Sequence, residues 1–421
     1  MKNQHVASAP EPGRIAAGRR ANPGMRNRLL ILAAVAWLYM TARFVWYLPG
    51  GDAARIPAAI ALLLIAEYQQ ITSRWFGTFV SPELPRPMLI ALGYAFGALF
   101  ILLPLLLLRD VAGGIAYLVM PPLGNEIWTR PGIARGIGVL AGAAALVGTW
   151  QGIRIPGIKA VHIRIPGLPV AFNGYRIVQL SDLHASRLLP ATWIARVVAK
   201  ANALAPDLMV ITGDLADGTP RARAADVAPY ATLHARDGLL AIPGNHEYYA
   251  DYRDWMAAYD RLGLPMLANR RVLITRGADS MAVAGLTDRQ SRVFGEPPPD
   301  LDAALAGIPP GVPVILLDHQ PAQRARQRGG GRRATAFRPH PRRPDSRNRD
   351  DHPTRQPRLH LRVVPGRHDA ALCQQRHRSL ERPDPAVGHP SEITELVLHA
   401  PDPGHAERVA ARQGVAAQPA A

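Results

Sequence analysis

The hydrophobic pattern divides the chain into two regimes. Met88–Leu108 is an apolar run without a single charge, long enough as a helix to cross ~30 Å of hydrocarbon at ~1.5 Å per residue. Gly136–Ile153 is a second uncharged run, rich in small residues. Leu29–Ala42 and Ile56–Ala66 are shorter, and Trp37, Trp46, Tyr47 and Tyr68 flank them as interfacial anchors do. The pattern predicts a membrane region over residues 29–153 with about four helices. A polar, basic tail over residues 1–28 precedes the first apolar run, which is not the layout of a cleavable signal.

From residue 165 to 321 short apolar runs alternate with amphipathic stretches. Arg176–Leu180, Leu208–Thr212, Leu239–Ile242, Met281–Ala284 and Val314–Leu317 read as strands. Trp193–Leu204, Ala224–His234 and Tyr252–Leu262 read as helices. Such alternation predicts an α/β domain. Residues 322–388 then turn Arg/Pro/His-rich and show neither period. Residues 389–399 resume a strand-like text, and 400–421 form a tail.

The net charge of +17 invites a nucleic-acid reading, but its distribution argues against one. Residues 322–388 hold 17 Arg against 6 Asp and Glu, a net +11, with Phe337 as the sole aromatic to interleave. The excess therefore belongs to an anomalous stretch, and nucleic acid is not expected as a partner. The single Cys373 excludes an intrachain disulfide framework. Lys2, Arg14, Arg19, Arg20, Arg26 and Arg28 precede the first helix and favour a cytoplasmic N-terminus. Four crossings return the chain to the cytoplasm, where Arg154, Lys159 and Arg164 lie. Arg55, Arg109, Arg130 and Arg135 occupy the opposite loops. The expected location is a plasma or inner membrane, multi-pass, with the α/β domain cytoplasmic.

Polar residues recur just past the strands, at the edge where α/β sheets carry their sites. They are Ser181-Asp182-Leu183-His184, Gly213-Asp214, Gly244-Asn245-His246-Glu247 and Asp318-His319. Oxygen and imidazole donors suit Mn, Fe or Zn rather than a thiolate site. Asp182 and His184 alternate along an extended chain and so point the same way. Asp214 can bridge two ions with its two oxygens. Two ions ~3.5–4 Å apart would clamp a phosphoryl group and activate a water. His246, beside the ligand-type Asn245, suits protonation of a leaving oxygen or stabilisation of charge on the phosphoryl group. Singly, each motif reads as a turn or a core polar residue; four in order after strands read as a metal site.

The texts "SDLH", "TGDLADG", "IPGNHEYY" and "ILLDHQP" resemble the calcineurin-like metallophosphoesterases, close to the bacterial branch with an N-terminal multi-helix membrane region. The resemblance covers roughly residues 86–321 and resumes at Pro390-Ser391-Glu392-Ile393-Thr394-Glu395-Leu396. It implies a two-sheet α/β sandwich preceded by the membrane helices, with a dinuclear site at one rim. It also implies that Asp182, His184 and Asp214 hold one divalent ion. Asp214, Asn245 and His319 would hold the other, with His246 on the phosphate side. The implied function is membrane-anchored, metal-dependent hydrolysis of phosphate ester or pyrophosphate bonds, lipid-linked substrates included.

The family pattern also requires Gly-His-x-His after "DHQP", and this chain lacks it. The corresponding place reads Phe337-Arg338-Pro339-His340-Pro341-Arg342-Arg343-Pro344-Asp345. One permitted codon spelling is TTC CGG CCA CAC CCA CGG CGG CCA GAT. Read one nucleotide later, it gives Ser-Gly-His-Thr-His-Gly-Gly-Gln. The same shift over Arg358–His368 and Cys373–Arg382 also yields family-like text. Residues 322–388 are therefore read as out of frame, between compensating frameshifts near Gln323 and Gly388. As written, each ion loses one imidazole, which opens a second reading: an inactive membrane-anchored relative. A membrane-tethered binding module using the basic tract on anionic lipid or nucleic acid is a third. Sequencing the gene across codons 320–390 is expected to reveal Gly-His-Thr-His in the +1 frame; no such codons there would dismiss the frameshift.

Overall fold

The computed structural model describes residues 23–68, 71, 82–165, 167–320, 370–373 and 392–400. The basic tail, most of the segment read as out of frame, and the C-terminal tail lie outside the described residues.

The first region is helical: α1 (Pro23–Arg43), α2 (Gly51–Ala66), α3 (Arg86–Val119), α4 (Pro121–Thr129) and α5 (Pro131–Ile153). By length and composition, three described stretches can cross a membrane: Leu30–Tyr47, Arg86–Val119 and Pro131–Ile153. Helices thus stand at all four predicted places. The second, α2, has 16 residues and falls short of that length. Met40, Leu62, Leu102, Leu106 and Ala141 pack the helices together, while Leu32, Leu108, Val139 and Leu146 face outward. An apolar exterior suits a lipid surround better than water.

One helix runs further than its apolar run predicts. α3 has 34 residues and passes straight through Arg109 and Asp110. These charges satisfy one another: Arg109 donates from Nη2 to Asp110 Oδ1 at 2.7 Å and from Nη1 to the Arg43 carbonyl at 3.1 Å. Asp110 Oδ2 accepts from Tyr39 at 2.9 Å and pairs with Arg43 at 2.8 Å. A paired cluster removes the desolvation cost that would otherwise end the helix at the boundary.

The second region is the predicted α/β sandwich. Its strands are β1 (Gly157–Arg164), β2 (Tyr175–Leu180), β3 (Leu208–Thr212), β4 (Leu239–Ile242), β5 (Arg270–Arg276), β6 (Asp279–Gly285), β7 (Val314–Leu317), β8 (Ala370–Cys373) and β9 (Glu392–His399). One sheet has the order β1-β9-β2-β3-β4, the other β5-β6-β7-β8. Period-2 alternation sorts side chains to the two faces. Ile177, Val210 and Ile242 of the first sheet meet Met281, Val283, Ile315 and Leu317 of the second in one core. Val178, Met209, Ile211 and Ala241 point the other way, onto a helical layer. That layer comprises α6 (Ala191–Asn202), α7 (Pro220–Val227), α8 (His246–Tyr249) and α9 (Tyr252–Arg261). Ala282, Ala284, Val314 and Leu316 are covered by α10 (Leu301–Leu305) and its surroundings.

The helix predicted over Ala224–His234 breaks instead. α7 stops at Val227 and a 3-10 turn takes over Ala228–Thr232. Pro229 explains this, since it has no N–H to carry the helical hydrogen-bond ladder onward. β8 falls inside the segment read as out of frame; among the described residues that segment contributes one four-residue strand, parallel to β7.

β9, where the family text resumes, does not sit at an edge. It inserts between β1, in parallel, and β2, antiparallel. Ile393, Leu396 and Leu398 are buried in the two cores. Leu396→Ala should cost about 2–5 kcal/mol, as a cavity between the sheets. Val397→Ala, on a half-exposed neighbour, should cost less. Urea unfolding of the detergent-solubilised chain measures both.

Candidate metal centre

The ends of β2, β3, β4 and β7 converge at one rim. Past β2, Asp182 and His184 adopt positive φ (51° and 42°), and so does Asp214 past β3 (54°). Such left-handed backbone is costly for these residues and is a mark of functional sites. The two loops hold each other in it. The amides of Asp182, His184 and Ala185 donate to the carbonyls of Gly213, Asp214 and Leu215 at 2.9–3.0 Å.

Two glycines allow a third loop to join. A Cβ on Gly213 would lie 2.6 Å from the Gly244 Cα, and one on Gly244 would collide with Asp214. The Gly-Asp and Gly-Asn pairs are therefore steric requirements of this rim. Glu247 clamps the result. Its buried carboxylate accepts from the amides of Asp214 (3.1 Å), Leu215 (2.8 Å) and Gly244 (2.7 Å), and from the Tyr259 hydroxyl (3.1 Å).

All six residues singled out from the sequence gather here. The Oδ2 atom of Asp214 is ringed by three imidazole Nε2 atoms: His319 at 3.3 Å, His184 at 3.7 Å and His246 at 3.8 Å. Asp182 Oδ1 lies 3.9 Å from His184 Nε2, and Asn245 Oδ1 lies 3.0 Å from His319 Nε2. Asp214 Oδ1 instead accepts the His246 amide at 2.9 Å. The expectation gave both Asp214 oxygens to metals; in this arrangement Oδ2 alone faces the imidazoles.

The rings are set by their other nitrogens. His184 and His246 both donate from Nδ1 to Asp217 Oδ1, at 2.8 and 2.6 Å. His319 donates from Nδ1 to the Thr212 carbonyl at 2.7 Å. Each Nε2 turns inward, the usual arrangement for imidazole ligands, and that of His319 meets the Asn245 amide oxygen. His184 Nε2 is buried with no hydrogen-bond partner. An orphaned imidazole nitrogen between two carboxylates fits a divalent cation. Asp182, Asp214 and His319 offer ligand atoms within 4.8 Å of one another, and so do His184, Asp217 and His246. In the second group the short Nδ1 contacts make Asp217 an orienting partner rather than a ligand.

The family model described as "Calcineurin-like phosphoesterase" matches residues 175–345. The chain carries a calcineurin-like metallophosphoesterase domain. It is 35% identical over 194 residues to a bovine "Transmembrane protein with metallophosphoesterase domain", covering 44% of each chain. It is 30% identical to an "Uncharacterized metallophosphoesterase" of Helicobacter pylori, covering 42% of this chain and 46% of that one. A UDP-2,3-diacylglucosamine pyrophosphatase of Chlamydia trachomatis is 32% identical over 28% of this chain and 37% of its own. The chain thus spans less than half the length of these relatives.

Three residues of the phosphoesterase domain escaped the sequence reading. Asp217 follows Asp214 by three positions, and a second acid in Asp214-Leu215-Ala216-Asp217 was the available signal. Glu247 was quoted only as the end of its motif. Asp288, just past β6, has a buried Oδ2 without a hydrogen-bond partner, and burial pushes its carboxyl up. The place of the missing fifth motif, Phe337–Asp345, lies outside the described residues.

Without metal, the site neutralises itself with protons. Burial opposes a charge on His184, but Asp217, Asp214 and Asp182 overcome it and push the imidazole up to about 10. His246 rises to about 9 against the same burial, through Asp214 and Asp217. Asp214 and Asp217 are held well below the carboxylate range by the histidines despite burial. The histidine contribution to stability is complete below the unfolded value of 6.5 and is lost as pH rises through about 9–10. The aspartate contribution is complete above 3.8 and is lost as pH falls. Metal ligation must displace the histidine protons. From pH 6.5 to 10 the metal-free melting temperature should fall, while the increment from added Mn²⁺ grows. Thermal scans across that range with and without Mn²⁺ check both signs.

Proposed function

We propose that this chain belongs to a lineage of membrane-anchored, dinuclear metal-dependent phosphoesterases that hydrolyse phosphate ester or pyrophosphate bonds close to the bilayer. The observation that carries this reading is the Asp214 carboxylate oxygen encircled by three inward-facing imidazole nitrogens. Asp182, His184 and Asp214 would hold one ion; Asp214, Asn245 and His319 the other. Two divalent ions of the Mn, Fe or Zn type would supply Lewis acidity toward the phosphoryl oxygens and an activated water. His246 keeps its Nδ1 proton on Asp217, so its Nε2 is the atom that would hand a proton to the leaving oxygen. Burial of His184, Asp214 and His246 keeps bulk water from screening these charges.

The bilayer enters through the fold. Trp193 Nε1 donates to the Ile153 carbonyl at 2.9 Å and Lys200 Nζ to that of Pro156 at 2.6 Å, tying α6 to the end of α5. The named activity of the chlamydial relative supports a lipid-linked pyrophosphate as one substrate class. The basic residues before α1 support a cytoplasmic site, with α1 and α3 running the same way through the membrane.

The second reading is an inactive relative, and one specific observation favours it for the chain as written: Phe337–Asp345 holds no Gly-His-x-His. The two compensating frameshifts reconcile the readings. They give an active ancestor and a polypeptide short of one imidazole per ion. With Mn²⁺ and bis(p-nitrophenyl) phosphate, the purified chain as written should show weak metal retention and little turnover. The same chain with the +1 frame restored over residues 323–388 should hydrolyse the ester, and His246→Ala in it should lose about 10²–10⁴-fold. Ordinary turnover by the unrepaired chain, or none by the repaired one, overturns the scheme.

A further inference from the structure

Where the membrane helices meet the phosphoesterase domain, α3 begins at Arg86 and α5 ends at Ile153. Between these ends and α6 lies a cavity of about 270 Å³ lined by Arg86, Arg154, Arg196, Thr192 and Trp193. Through Arg86 it abuts a groove of about 410 Å³ between α3 and α5, lined by Pro87, Ile90, Ala91, Tyr94 and Leu146. One chamber is cationic and the other is apolar.

Among the described residues, nothing neutralises these three guanidiniums. Nearby Arg187 and Arg223 share the carboxylate of Glu83. Among the described residues Arg86, Arg154 and Arg196 have no ion-pair partner. Arg86 Nε donates to the Leu188 carbonyl at 2.9 Å, which fixes its stem. Arg154 stacks on Trp150 at 4.9 Å, and its Nε is buried with no hydrogen-bond partner. Converging, uncompensated guanidiniums suit a phosphate, which accepts from their paired N–H groups. The depth also fits. Arg86 and the Arg43–Arg109–Asp110 cluster are separated along α3 by ~35 Å at ~1.5 Å per residue, close to a hydrocarbon thickness of ~30 Å. Arg86 therefore stands at headgroup level on the side of the phosphoesterase domain.

We propose that this junction holds one anionic phospholipid of the bilayer, its phosphate on Arg86, Arg154 and Arg196 and an acyl chain in the groove between α3 and α5. A soluble anion would use the cationic chamber and leave the apolar one empty; a lipid fills both. The inference rests on the membrane reading of α1, α3 and α5, and not on the hydrolase reading.

The full chain is reconstituted into nanodiscs of phosphatidylcholine with a minority of phosphatidylglycerol, then released for native mass spectrometry. One retained phosphatidylglycerol is expected. Retention should fall about tenfold or more in Arg154→Gln/Arg196→Gln, from the loss of two charge-assisted contacts. It should persist in Arg292→Gln, an exposed arginine elsewhere. Unchanged helical circular dichroism and an unchanged melting temperature report that the double variant is folded. Equal retention by parent and double variant overturns the site. Retention of phosphatidylcholine as readily as phosphatidylglycerol does too, and so does equal competition by glycerol phosphate without acyl chains. Failure of the chain to enter nanodiscs overturns the membrane reading itself; entry without a retained anionic lipid overturns the lipid site alone.

Discussion

The rim depends on one buried carboxylate. Glu247 is fully enclosed, and its two oxygens take three backbone amides and a phenol from the loops after β3 and β4 and from α9. Burial and the neighbouring Asp214 push its carboxyl up, while the amides of Leu215 and Gly244 pull the other way. Those amides belong to loops whose close approach already requires glycine at 213 and 244. An unsatisfied buried amide costs roughly 1–3 kcal/mol, so three of them could not be tolerated at this crossing. Glu247 thus fixes where Asp214 points, and Asp214 fixes where the three imidazoles meet. Asp217 repeats the device one layer out, by holding two rings with a single oxygen.

The six candidate site residues could be picked out of the sequence because they stand just past strand ends, where the chain has few local options. Asp217 and Glu247 were not, because what they do is defined by partners that only folding supplies. Among strands, the inner ones announced themselves. Leu208–Thr212 and Val314–Leu317 are buried throughout and, but for Thr212, apolar. β1 and β5 were missed, and their burial explains it. β1 never drops to full burial along its length, and β5 buries only Ile274. Strands with so little fully buried surface carry only a weak apolar signal. The length of α3 was underestimated for a related reason, since Arg109 and Asp110 read as a terminus until Arg43 and Tyr39 are seen to meet them.

The membrane region and the phosphoesterase domain are joined by more than a linker. Glu83 and Arg86 reach residues 187, 188 and 223, and the end of α5 is held by Trp193 and Lys200. Leu188 follows His184 by four residues, so the loop that leaves the candidate metal centre is the same one that greets the first turn of α3. Rim and bilayer boundary therefore have a fixed relation, set by side chains that neither motif contains.

β9 carries a consequence for how the chain is made. β1 and β2 are adjacent in sequence yet do not pair; each waits for a strand more than two hundred residues further along. A nascent chain that has finished β7 still exposes two unpaired strand edges, and its larger sheet closes only when Glu392–His399 leaves the ribosome. Closure at such separation is slow, and it makes the reading frame at residue 392 a folding checkpoint. A frame lost in the middle of the gene is survivable for this architecture only if it is regained before that strand.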